Sequence, residues 1–184
     1  MPTLSYAKTF KGVADVFLRD PDLYVPLLRF IEVVMTRDSA LSIAEREMIA
    51  AHVSRLNGCA FCVGIHKATM LELGVDRRAA DAVADGADAA SVDGKLRAIL
   101  DFAESLTMSP EIIGQTDVDA VLEAGWPEQA VEDAINVTAL FNYVNRLVDA
   151  FGIEGEDSYF KDIGAILAKQ GYAPLIEMAA KRAA

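Results

Sequence analysis

Cysteine and histidine are scarce in this chain, with two of each in 184 residues. Cys59 and Cys62 stand in a C-x-x-C spacing, and so short a loop is a poor structural staple because thiol exchange opens it easily in a reducing compartment. Positive charge is also in deficit, 17 Lys and Arg against 28 Asp and Glu, for a formal net charge of −11. Such a balance repels a nucleic-acid backbone or an anionic membrane surface, so neither is an expected partner. No segment approaches the roughly 18 uninterrupted apolar residues of a membrane span. The opening MPTLSYAKTFKGVADVF lacks a basic stretch followed by a long apolar one. A soluble, unexported, cytoplasmic protein is expected.

What is present is a chain 53% hydrophobic with only six prolines, long enough to bury a full core as one domain over 1–184 without staples. Its patterning is helical throughout, with no convincing strand. Two amphipathic stretches, Phe10 to Phe17 and LYVPLLRFIEVVM, flank a turn at Arg19-Asp20-Pro21-Asp22, with Pro26 near the start of the second. Ser42-x-x-Glu45 is a capping box that opens a helix running to Asn57. Gly58 then offers the left-handed residue that ends a helix, and a new helix runs from about Cys59 to Leu73, stopped by Gly74. A short helix after Asp76, a polar turn at 90–94, and a helix carrying Leu96, Ile99, Leu100, Ala103 and Leu106 follow. Ser109-Pro110 ends that helix. Thr116 is placed to cap a small helix, and Pro127 to begin a long one reaching about Ala150. The apolar residues of that long helix spread around its circumference, which predicts a central or interfacial position. Two more helices, from about Ser158 and Ala173, complete an all-α bundle of about eight or nine helices.

The stretch EMIAAHVSRLNGCAFCVGIH, residues 47–66, gathers both thiols, His66 and Glu47. With Cys59 opening the second helix, Cys59 and Cys62 lie one turn apart, inside the roughly 4.4–6.8 Å Cα separation that a disulfide accepts. Both stand near a helix N-terminus, which favours thiolate over thiol. His66 is one turn beyond Cys62 on the same face. If the hairpin folds back about Asn57-Gly58, Glu47 comes level with His66. The arrangement implies a relay in which Glu47 orients His66 and His66 serves Cys62. Its chemistry would be peroxide reduction: Cys62 attacks the O–O bond, the relay protonates the leaving alkoxide, and Cys59 closes a disulfide that a dithiol reductant resets.

The pattern Glu47-x11-Cys59-x-x-Cys62-x3-His66 resembles the alkylhydroperoxidase D-like (AhpD-like) branch of the carboxymuconolactone decarboxylase superfamily. LSIAEREMIAAHVSRLNGCAFCVGIH and FNYVNRLVDAFGI are similar to its peroxidase-related group, so the resemblance spans about residues 20–153. It implies an all-helical homo-oligomer, a trimer or hexamer with a dimer as the smaller possibility. It also implies a peroxidatic Cys62, a resolving Cys59 and a relay of His66 and Glu47. It implies a hydroperoxide substrate and a dithiol reductant or reducing protein, with no cofactor and no metal. Phe61 stands where some members carry a histidine.

Other readings of the same residues stand beside this one. Cys59, Cys62 and His66 with Glu47 or His52 are conceivable zinc ligands, although one helix closes a tetrahedron awkwardly. Glu47 alone has an ordinary alternative as the ion-pair partner of Arg46, Arg55 or Lys67. His52 reads as a surface or internally satisfied histidine. Tyr143, Asn145 and Arg146 either line a pocket or lock helices together. At the level of function the alternatives are a carboxymuconolactone decarboxylase-type lyase and a redox-sensing or metal-binding interaction protein.

Overall fold

Ser42 opens the helix on which the molecule is assembled, and its cap forms in both directions. Glu45 N–H donates to Ser42 Oγ at 3.2 Å, and Ser42 N–H donates to Glu45 Oε2 at 2.7 Å. The computed structural model describes residues 4–87 and 91–183. In chain order its α-helices are α1 (Val13–Arg19), α2 (Pro21–Thr36), α3 (Ile43–Leu56), α4 (Ala60–Glu72) and α5 (Arg77–Asp85). They continue with α6 (Gly94–Met108), α7 (Gln115–Glu123), α8 (Glu128–Phe151), α9 (Asp157–Gln170) and α10 (Ala173–Ala183). Short 3-10 turns stand at Ser5–Thr9 and Pro110–Ile112. The described residues thus hold ten α-helices, slightly more than the eight or nine expected. The fold is all-α. No helix among the described residues is long and apolar enough to cross a membrane.

Local chemistry explains most boundaries. Asp20 ends α1 and caps α2 by accepting from Leu23 N–H, with Pro21 at the first helical position. Pro26 lies inside α2. The stretch from Phe10 is helical only from Val13, because Gly12 is extended and a Cβ there would sit 2.1 Å from the Tyr159 hydroxyl of α9. Asp76 and Asp93 cap α5 and α6. Thr116 is not a cap: Gly114 holds that position, and its N–H donates 2.9 Å to Asp117 Oδ2. Ala90, first residue of the expected polar turn, lies outside the described residues.

α3 is the innermost element, with every residue from Arg46 to Ser54 buried. It packs against α4, α5, α6 and α8, which is why its sequence lacks a clean polar face. α8 buries most of its apolar residues against the same core but leaves Ile135 and Tyr143 exposed. Asn145, wholly buried, settles the question of its role: it locks helices. Its Nδ2 donates 2.9 Å to Ser54 Oγ, and its Oδ1 accepts from Asn57 Nδ2 at 2.9 Å. Asn142 adds a second acceptor for Asn57 at 3.3 Å, and Arg146 Nη1 donates to Asn142 Oδ1 at 2.8 Å. These bonds pin the α3–α4 turn to α8. On its other side α4 meets α9 across Gly64 and Gly164.

Candidate active site

Gly58, at φ +75°, provides the left-handed residue that turns α3 into α4. Cys59 follows at the N-cap of α4, its N–H donating 3.0 Å to Ser54 O. Cys62 sits in the first turn. Both cysteines are free and buried, and the Cys59 thiol donates to Cys62 Sγ across 2.7 Å. Disulfide closure to about 2.05 Å therefore requires only a small side-chain movement.

One helix crossing away, Glu47 of α3 meets His66 of α4. His66 Nδ1 lies 2.6 Å from Glu47 Oε2, and both side chains are 3% exposed. The imidazole packs edge-on against Phe141, with ring centroids 4.4 Å apart. The cations that could have taken Glu47 are occupied elsewhere. Arg46 donates 2.6 Å to Arg37 O, Arg55 reaches Val83 O and His52, and Lys67 pairs with Asp81 and Asp85. His52 is buried between Arg55 and Glu104, away from the thiols. No group of three or more His, Cys, Asp or Glu side chains among the described residues is gathered as a metal site requires.

Cys62 and His66 line a partly open cavity of about 170 Å3 between α1, α2, α4, α8, α9 and α10. Its walls are almost wholly apolar, from Phe17, Phe61, Phe141, Val144, Ile163 and Leu167 to Leu175 and Met178, with Tyr159 and Tyr172 also among them. Cys59 is not among the lining residues. Phe61 is a wall of this chamber and packs on Tyr159 and Phe160, with centroids 5.8 and 5.6 Å away. Tyr172 is fixed through its backbone, whose N–H donates 2.6 Å to Glu32 Oε2. Burial, with Glu47, Glu32 and Cys62 nearby, raises its phenol well above the ordinary tyrosine value, so it stays a proton donor.

The two thiols differ in character. The hydrogen bond to Cys62, then burial, then the charge on Cys62 hold the Cys59 thiol far above its ordinary value. This corrects the expectation that the helix N-terminus favours thiolate at both positions: at Cys59 burial and the neighbouring sulfur outweigh the helix dipole. Tyr159, Tyr172 and Phe141 escaped the sequence reading. Nothing local marks them, since they come from helices remote in sequence that converge only in the folded chain.

Fold and site together define an all-helical protein with a buried vicinal dithiol and a carboxylate–imidazole pair on one hairpin. Residues 21–105 match the Carboxymuconolactone decarboxylase family, and the chain is similar to its AhpD-like members. Two solved structures agree in fold and share more than a quarter of the sequence. One is the alkylhydroperoxidase AhpD core of an uncharacterized peroxidase-related protein from Ralstonia eutropha JMP134. It is 28% identical with a TM-score of 0.74, over 82% of this chain and 78% of that one. The second is an uncharacterized peroxidase-related protein from Silicibacter sp. TM1040, 27% identical with a TM-score of 0.74, over 80% and 78%. The debrominase Bmp8, solved with 2,3,4-tribromopyrrole, shares the fold at 18% identity and a TM-score of 0.69, over 86% of each chain.

Proposed function

We propose that the protein reduces organic hydroperoxides with the Cys59–Cys62 dithiol. The observation that carries this reading is the placement of Cys62 and His66 on the wall of an apolar cavity, with Cys59 behind the first and Glu47 behind the second. Cys62 thiolate attacks the terminal peroxide oxygen, the O–O bond breaks, and the departing alkoxide takes a proton from the His66 imidazolium that Glu47 orients. The resulting Cys62 sulfenic acid condenses with Cys59 to give the disulfide and water. A dithiol reductant, free or carried by a protein, then exchanges with the disulfide and leaves oxidised. No hydrogen bond joins Cys62 to His66, so the proton passes through the bound substrate or a water.

The walls favour a neutral, apolar peroxide body. No lysine or arginine lines the chamber, so a substrate anion there would lack a partner. A cavity of about 150 Å3 accepts a benzene ring, and this one is of similar size. Self-association belongs to the same reading, supported by Leu23, Phe30 and Val33 exposed along one face of α2.

The test is a free-thiol count on reduced protein before and after one equivalent of cumene hydroperoxide. Both thiols are lost rapidly in the wild type, the single thiol left in Cys62→Ser persists, and His66→Ala slows the wild-type loss by about 100-fold. Thiols that persist at the uncatalysed rate in the wild type would overturn the reading.

A further inference from the structure

Among the described residues, Tyr159 of α9 is common to the linings of two hollows. On one side of it lies the apolar cavity that holds Cys62 and His66. On the other is a recess of about 450 Å3 lined by Lys11, Glu154, Gly155, Glu156 and Ser158, all of them exposed to solvent. The open side of the cavity has a different character. Ile166 and Met178 line the cavity and are 39% and 49% exposed, so its opening between α9 and α10 is framed by apolar side chains.

The tyrosine is seated as a fixed wall between the two. Its ring packs on Phe61, the chain neighbour of Cys62, with centroids 5.8 Å apart, and on Phe160 at 6.4 Å. Glycines make room for this cluster. A Cβ on Gly12 would stand 2.1 Å from the Tyr159 hydroxyl oxygen, and one on Gly64 or Gly155 would stand 2.4 or 2.5 Å from the Phe160 ring. Gly12 is extended at φ 179°, a backbone that any residue adopts, so what excludes a side chain there is the space the phenol occupies. The phenol thus spans the wall. Its hydroxyl rests at Gly12, next to Lys11 of the recess, and its ring lies against Phe61 on the cavity side.

We propose that Tyr159 is a specificity-determining residue whose ring closes the cavity against the polar recess, so that apolar hydroperoxides reach Cys62 in preference to hydrogen peroxide. The assignment rests on the hydroperoxide-reductase reading of the site. With the ring in place, a peroxide arrives through the opening at Ile166 and Met178. There a small polar peroxide gives up hydration without gaining hydrogen bonds, whereas an apolar body gains by leaving water. Without the ring, recess and cavity run together, and a polar peroxide acquires a hydrated path to the sulfur. Tyr159 takes no part in the bond changes at Cys62. It decides which peroxide arrives.

The test compares second-order rate constants for thiol loss from reduced protein with cumene hydroperoxide and with hydrogen peroxide, read as their ratio. The wild type favours cumene hydroperoxide. Tyr159→Ala shifts the ratio toward hydrogen peroxide by about 10-fold, and Gly12→Ala shifts it the same way by displacing the ring. Tyr159→Phe, which keeps the ring, leaves it unchanged. Should Tyr159→Ala fail to fold, Gly12→Ala decides. A wild type that favours hydrogen peroxide, or alanine variants in which both rate constants change equally, would overturn the assignment. Access is also read without peroxide, by alkylating Cys62 with iodoacetamide, which is small and polar, and with N-cyclohexylmaleimide, whose body is apolar. Tyr159→Ala shifts that ratio toward iodoacetamide. If hydroperoxide leaves the wild-type thiols intact while the alkylation ratio still shifts, the peroxidase reading fails and the role of Tyr159 as a partition stands.

Discussion

His66 Nδ1 and Glu47 Oε2 stand 2.6 Å apart in a region where both side chains are 3% exposed, although the residues are 19 apart in sequence. A carboxylate and an imidazole so placed are costly to bury singly, and each offsets part of the other's desolvation when they are buried together. The α3–α4 hairpin is thereby committed to one register, the one that turns His66 toward the Cys62 side of α4.

Glu47→Gln keeps the volume and a hydrogen-bonding group but removes the charge that stabilises an imidazolium. The rate of Cys62 oxidation by cumene hydroperoxide should fall by about 100-fold with little change in the urea midpoint. Glu47→Ala, in contrast, leaves His66 buried without its partner and should cost about 1–3 kcal/mol. Equal effects of the two substitutions on rate and on stability would show that the pair is structural only.

His52 supplies a pH signature separate from the thiols. Burial first, then the charges of Arg55 and Arg97, lower its value from 6.5 to about 4. Its 3.3 Å contact with the half-exposed Glu104 is accordingly not a charged pair at neutral pH. Between these two values the unfolded chain binds the proton that the folded chain refuses, so acidification favours unfolding. The contribution, about 3 kcal/mol, is present in full above pH 6.5 and is lost as the pH falls toward 4. Urea melts at pH 7.5 and 4.5 should show a smaller difference in His52→Gln than in the wild type.

Gly164 is where α9 comes closest to α4. A Cβ there would lie 2.8 Å from the Ala68 carbonyl carbon and 2.9 Å from Thr69 N, both backbone atoms that cannot rotate away. Alanine gains roughly 1 kcal/mol in helix propensity, but separating two packed helices costs about 1–3 kcal/mol. The clash should win, and Gly164→Ala should melt below the wild type by about 2–4 °C for each kcal/mol lost. An unchanged or raised melting temperature would show that the interface yields.

Much of the site is legible in the sequence because its determinants are local. The capping box at Ser42 and Glu45, the left-handed Gly58 and Gly74, and the one-turn spacings from Cys59 to Cys62 and from Cys62 to His66 each depend on a few consecutive residues. The level at which Glu47 meets His66 needs only the hairpin and the rise of a helix. Thr116 shows the limit of the same method: a good capping residue yields when the neighbouring Gly114 and Asp117 satisfy the helix end instead.

By itself, then, the sequence determined an all-helical chain, the α3–α4 hairpin and the grouping of two thiols, an imidazole and a carboxylate along it. These follow from hydrogen-bonding rules and periodicities that act within a turn or two. Tertiary structure alone decided that Cys62 rather than Cys59 faces a cavity, and that Tyr159, Tyr172 and Phe141 wall it. Each depends on which faces of α8, α9 and α10 are buried against the hairpin. Burial and desolvation are properties of the packed assembly, and no short window of sequence contains them.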